Sequence, residues 1–430
     1  MNIYRANILH TPTPQAFQIL EHGYVCVSDE GLVEGVYAEL PEHLRRLPVT
    51  DYADRLLIPA FCDLHVHAPQ YRNLGLALDE ELLPWLEKYT FPEEAHFADN
   101  AYAARIYRRF VHELWMQGTM RSSVFATIHP EATQMLMSLF REAGMGAFVG
   151  LVAMDRNCPP ALRNTPDGIL RFYSDAAGGD LGSLNPSLTA SDKVRHILTP
   201  RFIPACSPDM LRQLGAVAAQ TGLPLQSHLS ENRSEIDWVR QLEPHSSCYA
   251  DAYLRYGLLG STPTLMAHCC YSAGEELRLL KEHNVTVVHC PTSNSNLASG
   301  IAPVRTFLDN GVAVALGTDI SAGHNLSMLR VMQYAMQVSK LHYARSEGKV
   351  PYLTLSEVFF LATKGGGSFF GKVGSFEPGY EFDALVVDDS YLNYDHYSLE
   401  HRIQRYVYLG DDRDIRVRFC RGIPLPEPAI

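Results

Sequence analysis

The sequence predicts an α/β fold: a parallel (β/α)8 barrel of the TIM type, with a small β-sandwich module formed from both chain ends. Three observations predict it. Between residues 56 and 371, eight short apolar, β-branched runs alternate with helical patterns, as parallel strands joined by helical crossovers do. Short strand and turn signals fill residues 1–55 and return after residue 372. The chain's 430 residues, 46% of them hydrophobic, suffice for a large barrel plus a second module. A doubly wound open sheet is the alternative. It is disfavoured because no glycine-rich turn follows the first strand.

Residues 24–27 and 31–37 read as the strands of the N-terminal part. The barrel strands are read at residues 56–62, 120–126, 146–152, 196–203, 224–227, 264–267, 285–289 and 312–317. Helical patterns cover residues 100–117, 130–143, 209–220 and 274–283. Residues 74–97 make a long excursion just after the first strand, readable as a lid or as a packed insertion; Trp85 and Tyr89 on it could close a pocket or fill a core. Residues 156–190 are rich in Pro, Gly, Asn and Asp and read as a long loop, with a short helical piece near residues 168–174. Beyond residue 372 the barrel pattern stops, and residues 384–387, 415–419 and 422–424 read as strands and a turn. The division is therefore 1–55 with 372–430 as a composite β module, and 56–371 as the barrel.

Composition narrows the function classes. The net charge is −12 and there is no basic run, which speaks against a nucleic-acid or anionic-membrane partner. No apolar run reaches membrane-spanning length, and the first residues lack a signal-peptide core. The nine cysteines are scattered, with no Cys-x-x-Cys pair. These features predict a soluble cytoplasmic protein with reduced cysteines, mostly small core residues. The Cys269-Cys270 pair reads as packing because no thiolate-stabilising motif accompanies it.

Chemistry gathers at the strand ends, where a parallel barrel places its active site. The first apolar run ends in Asp63-Leu64-His65-Val66-His67. Strand alternation puts Asp63, His65 and His67 on one face, and Leu64 and Val66 on the other. Two imidazoles on one strand end can reach one cation, and zinc and iron both accept them. The fourth run carries Pro200-Arg201-Phe202, and the fifth ends in Ser227-His228-Leu229-Ser230-Glu231. The sixth ends in His268, the seventh in His289 and the eighth in Gly317-Thr318-Asp319. A lone strand-end histidine is commonly a hydrogen-bonded core residue, and an aspartate after glycine is commonly a helix cap. Their joint occurrence at six of the eight strand ends points to a metal site.

These motifs, with His289-Cys290-Pro291-Thr292-Ser293-Asn294, resemble those of the amidohydrolase superfamily in order and along the whole barrel. Members with two metals usually carry a modified lysine at the fourth strand. Here Thr199-Pro200-Arg201-Phe202 stands there, so the resemblance favours the single-metal deaminase branch over dihydroorotase- or hydantoinase-like hydrolysis. Within that branch the chain is similar to the guanine deaminases. The matching segments are His67-Ala68-Pro69-Gln70-Tyr71, residues 83–92, Thr199–Phe202 with residues 227–232, and Tyr408-Leu409-Gly410-Asp411-Asp412-Arg413. Two departures lie near the substrate mouth: Pro59-Ala60 replaces the usual proline-glycine turn, and Arg72-Asn73 follows Tyr71.

The resemblance implies one divalent metal, zinc or ferrous iron, held by His65, His67, His228 and Asp319. It implies hydrolytic deamination of guanine to xanthine and ammonia by metal-activated hydroxide. Glu231 is the acid that protonates the ring nitrogen, and its plain alternative is a solvated glutamate at a helix start. Asp319 accepts the proton of the water. His268 holds the attacking oxygen, with metal ligation as its second reading. Gln70, Arg201 and Phe202 are the purine contacts; Arg201 could instead be an ordinary ion pair and Phe202 ordinary core. His289 reads as structural or as a support behind a ligand. A homodimer is the expected assembly. The rival functions are a deaminase of another amino-purine or pterin (8-oxoguanine, isoxanthopterin), or a catalytically silent binding module.

Overall fold

The computed structural model describes residues 1–76, 78–176 and 193–430. Its centre is eight parallel strands in two runs of four. One run is Phe61–His67, Thr119–Phe125, Gly146–Gly150 and Val194–His196; the other is Leu225–Leu229, Thr264–His268, Thr286–His289 and Ala313–Leu316. The runs meet at two seams. At one, Leu198 bridges Leu225 in parallel. At the other, the N–H of Asp319 donates to the carbonyl of His65 at 2.8 Å. Helices cross over between the strands. The helix Asn100–Met116 shows why they form: Asp99 caps it by accepting from the N–H of Ala101 and Tyr102, and its buried stripe is Ala103, Ile106, Tyr107, Phe110, Val111 and Leu114.

Both chain ends build one seven-stranded mixed sheet, which is the form the expected sandwich module takes. Its spatial order is Ile423–Pro424, Ile415–Cys420, Ala384–Val387, Val49–Pro59, Asn2–Thr13, Ala16–Val27 and Val33–Tyr37. Strand alternation divides its side chains. Leu57 and Val386 join Tyr4, Ile8, Phe382 and Phe419 in the module's own core. Leu56, Ile58, Leu385 and Val387 face the other way, into the barrel's outer core. Arg121 pins the module to the barrel floor: its Nε donates to Asp383 Oδ2 at 2.6 Å, and its guanidinium also reaches Glu381.

Four elements differ from the sequence reading. The run 56–62 is not one strand. Leu56–Pro59 pairs with Ala384–Val387 in the end sheet, and the barrel strand starts at Phe61. Partners switch at Ala60, whose N–H donates to Asp383 while that of Phe61 donates to Gly118. The run 196–203 is broken as well. Val194–His196 is followed by a two-residue strand, Thr199–Pro200, and a turn at Ile203–Ala205, because Pro200 and Pro204 carry no N–H for a ladder. The helical piece expected at 168–174 is a longer helix, Pro166–Ala176; most of the loop expected after it lies outside the described residues. In the tail, an unexpected helix, Leu399–Leu409, buries Ile403, Tyr406 and Val407. Among the described residues no helix is long and apolar enough to cross a membrane.

His10 lies buried where the N-terminal strand meets the tail. The N–H of Phe376 donates to its Nδ1 at 3.2 Å, which requires an unprotonated Nδ1. Burial lowers this imidazole from 6.5 to about 4. Above pH 6.5 it is neutral in the folded and unfolded chain alike and adds no pH dependence. Between 6.5 and 4 the unfolded chain takes up a proton that the folded chain does not, so stability falls as pH falls. A gap of that size corresponds to about 3 kcal/mol. In chemical denaturation at pH 7 and pH 4, the wild type is expected to lose about that much more stability than His10→Asn. Equal losses would show that the imidazole is not held neutral.

Candidate active site

The site begins with a slip in register. The first and second barrel strands lose step between Asp63 and Val66. Cys62, before the slip, and Leu64, within it, pack in the barrel's interior with Phe148, Leu265 and Val288. After it, Val66 packs outside the barrel, and His65 and His67 turn to the mouth. A bulge re-aims side chains in this way, so the strict alternation expected for residues 63–67 does not hold. Asp63 is not on the histidines' face. Its carboxylate accepts from the N–H of His65 at 3.2 Å, from the N–H of Thr318 at 3.0 Å and from the Thr318 hydroxyl.

Above that clasp, donor atoms converge. His67 Nε2 lies 3.2 Å from His228 Nε2 and 3.4 Å from Asp319 Oδ1, and His65 Nε2 lies 3.2 Å from the same oxygen. The ring nitrogens of His65, His228 and His268 lie within 4.8 Å of one another, as do the ligand-type atoms of His65, Cys290 and Asp319. Burial pushes all three of His65, His67 and His228 well below the usual histidine value, so they are neutral imidazoles with lone pairs to give. His228 Nδ1 is 2.6 Å from the Arg201 carbonyl. That contact requires Nδ1–H and leaves Nε2 as the acceptor. The buried Nε2 atoms of His65 and His268 make no hydrogen bond. A cation of the zinc type fits this donor set. Burial raises the Cys290 thiol well above its ordinary value, which makes it the poorer donor of the group.

Glu231 and His268 stand beside these groups. His268 Nε2 is 3.5 Å from Glu231 Oε2 and 3.8 Å from Asp319 Oδ2, and its Nδ1 is 2.8 Å from Asn294 Oδ1. Burial, and then the Asp319 charge, push the Glu231 carboxyl up to about 8. The Ser299 hydroxyl donates to Glu231 Oε1 at 3.1 Å, and Glu235 accepts the Glu231 N–H at 3.0 Å. His268 and Asp319 both have left-handed backbones, φ 71° and 49°, conformations that cost about 1–3 kcal/mol and gather at functional sites.

A cavity of about 420 Å³, open mouth included, lies over the cluster. His67, His228, Glu231, His268 and Asp319 form its floor, and Gln70, Arg201 and Phe202 line it. Its apolar wall includes Leu82, Trp85 and Leu86, so the excursion 74–97 both packs and covers the mouth. Tyr89 is 39% exposed and takes no part. His289 is buried but faces a separate small cavity with Val304 and His342. Cys269 and Cys270 are buried, with thiols raised well above the ordinary value.

The sequence reading missed four partners: Glu94, Glu235, Asn294 and Ser299. Glu94 reaches two of the residues that line the cavity. Its Oε1 accepts from Gln70 Nε2 at 2.9 Å and its Oε2 from Arg201 Nη1 at 2.6 Å. Glu235 had a signal, since Asn232-Arg233-Ser234-Glu235 is a capping-box pattern, and the box forms. Asn294 closes the motif His289–Asn294, whose role the motif alone does not give; Glu94 and Ser299 are joined to their partners only by the fold.

Comparison with known proteins adds three likenesses and a family. A model of the amidohydrolase family matches residues 56–423. The guanine deaminase of Dictyostelium discoideum is 33% identical, over 98% of this chain and 97% of that protein. A crystal structure of guanine deaminase from C. acetobutylicum, with guanine bound in the active site, superposes with a TM-score of 0.95 at 45% identity, covering 99% of this chain and 100% of that one. An adenosine deaminase from Xanthomonas campestris, with bound zinc, shares the fold at a TM-score of 0.83 and 22% identity, over 99% and 93% of the two chains.

Gly317 sets how closely the seventh and eighth strand ends approach His65. A Cβ there would lie 2.8 Å from His65 Cβ, 3.0 Å from Val288 Cγ1 and 3.1 Å from Cys290 Sγ. Gly317→Ala is expected to cost about 1–3 kcal/mol of stability, as overpacking does, and to weaken calorimetric binding of added Zn2+ by displacing His65. A variant that binds zinc like the wild type would show that the strand ends part without moving the histidine.

Proposed function

We propose that this chain, which belongs to the amidohydrolase family, hydrolyses guanine to xanthine and ammonia. The observation that carries the reading is the 45% identity, over essentially the full chain, to a guanine deaminase seen with guanine in its active site. The buried cluster of imidazoles and carboxylates beneath a cavity lined by Gln70, Arg201 and Phe202 supports it.

His65, His67, His228 and Asp319 would hold one divalent ion, zinc in our reading, with ferrous iron accepting the same donors. Bound there, the ion would supply Lewis acidity that brings the ionisation of water toward neutral pH. The rest falls to the side chains. Arg201 and Gln70 orient the ring, and Phe202 packs on its face. His268 holds the attacking oxygen against the amine-bearing carbon. Asp319 takes the water's proton. Glu231 protonates the neighbouring ring nitrogen, the proton held by Asp319 passes to the amine, which departs as ammonia, and the proton left on the incoming oxygen returns to Glu231, so that water and guanine balance xanthine and ammonia.

The reading extends to a cytoplasmic homodimer. It includes a division of the chain into an end module, expected at 1–55 with 372–430, and a barrel, expected at 56–371. The pairing of Leu56–Pro59 within the end sheet supports moving the first boundary past Pro59.

The test is ultraviolet and ammonia assay of zinc-replete protein with guanine. Guanine is expected to disappear with stoichiometric xanthine and ammonia. Glu231→Ala should lower kcat by about 10²–10⁴-fold, the usual worth of general acid–base catalysis, with zinc content unchanged. Chelation should abolish turnover, and added zinc restore it. Turnover of 8-oxoguanine or isoxanthopterin but not guanine would move the substrate assignment. A protein inert to all three would overturn the reading. Sedimentation showing only monomer at micromolar concentration would remove the dimer.

A further inference from the structure

We infer that Glu94 is a specificity-determining positioning residue: it holds Gln70 and Arg201 as paired hydrogen-bond donors, and so selects a ring edge that carries an oxo group. The inference rests on the purine reading of the cavity and names what that reading leaves open, the group that chooses oxo over amino.

The Gln70 amide is oriented from two sides. Glu94, paired with the Arg201 guanidinium at 2.6 Å, is an acceptor only, so the amide atom 2.9 Å from its Oε1 is the NH2 of Gln70. The backbone N–H of Ser321 is a donor only, so the atom it meets at 3.1 Å is the Gln70 carbonyl. Both constraints give the same orientation, which fixes a choice that an isolated glutamine leaves open. One N–H of Gln70 then remains for a ligand, and its carbonyl is turned to the Ser321 N–H, which takes one of its two lone pairs.

Arg201 is fixed by the same short helix, Phe91–Ala95. Glu94 binds the guanidinium, and the Phe91 ring lies 5.3 Å beneath it. Its remaining N–H groups can only donate. Gln70 and Arg201 line the cavity, whereas Glu94 is buried behind them. The reading end of the cavity therefore presents donors. An oxo group or a bare ring nitrogen satisfies them. An exocyclic amine leaves them facing further donors, and sites built on buried polar groups discriminate strongly against such a mismatch.

The experiment compares guanine with 2,6-diaminopurine, which carries the same leaving amine and an amino group in place of the oxo. The wild type is expected to favour guanine in kcat/KM. In Glu94→Gln the position can donate as well as accept, which frees Gln70 to turn its carbonyl inward. The preference is expected to narrow by about tenfold or more, mainly through a higher KM for guanine, with zinc content unchanged. Glu94→Asp, shorter but still only an acceptor, is the second arm. It is expected to keep the wild-type preference while KM rises. Proportional losses for both purines, or an unchanged preference in Glu94→Gln, would overturn the inference and leave the guanine reading standing. So would loss of preference in Glu94→Asp. A wild type inert toward both purines would overturn the guanine reading, and this inference with it.

Discussion

One buried carboxylate holds the barrel's mouth in shape. Asp63 is fully buried, and it satisfies its two oxygens with the N–H groups of His65 and Thr318 and with the Thr318 hydroxyl. Burial pushes the carboxyl up to about 7 even against those donors. The clasp joins the end of the first strand to the end of the eighth. The N–H of Asp319 then closes the seam on the carbonyl of His65. His65, His67 and Asp319 are all set by that joint, and Gly317 is small enough to let it close. The metal-type donors, the cavity floor and the hydrogen-bonded partners behind them are consequences of where two strand ends meet.

Polar groups buried this deeply need partners, and the partners fall into two layers. Those nearest the cavity have atoms left over: the free Nε2 of His65 and His268 and the outer N–H groups of Gln70 and Arg201. Of those behind, the two carboxylates are saturated. Glu94 spends both oxygens on Gln70 and Arg201, and Glu235 spends its own on the backbone of Glu231 and Asn232 and on the Tyr249 hydroxyl. Reactive groups facing inward, held by satisfied groups behind, are how a rigid site keeps catalytic geometry without solvent.

The barrel and most of the cavity floor were legible because a strand end is a local event. An apolar run followed by histidine or aspartate can be read without knowing the rest of the chain, and His65, His67, His228, His268 and Asp319 were found that way. Features that depend on a distant partner were not legible. The run through residues 56–62 looks uniform, yet Pro59 and Phe61 serve different sheets because Asp383 and Gly118 claim adjacent N–H groups. The bulge after Asp63 follows from pairing with the second strand and leaves no mark in composition. Glu94 reads as one acidic residue in a Phe-Pro-Glu-Glu turn; only the fold brings Gln70 and Arg201 to it. The tail helix Leu399–Leu409 did carry a signal, a Ser398 cap before an apolar stripe, which a strand-minded reading of the tail passed over.

The strand Val49–Pro59 runs into the first barrel strand with only Ala60 between them, and its free edge is covered by Ala384–Val387. On the ribosome these two segments emerge at opposite ends of synthesis. Until the tail appears, the nascent chain carries one long strand with an open edge, the kind of surface that recruits other strands. Arg121, waiting in the barrel floor, likewise has no counter-charge until Asp383 and Glu381 are made. The metal-type cluster is complete once residue 319 has been translated, but the strand Val49–Pro59, which leads into the strand bearing two of its histidines, then has only Asn2–Thr13 on one edge and waits for Ala384–Val387 on the other. A chain that stops short of residue 384 therefore has every donor of the cluster present and one edge of the strand Val49–Pro59 bare.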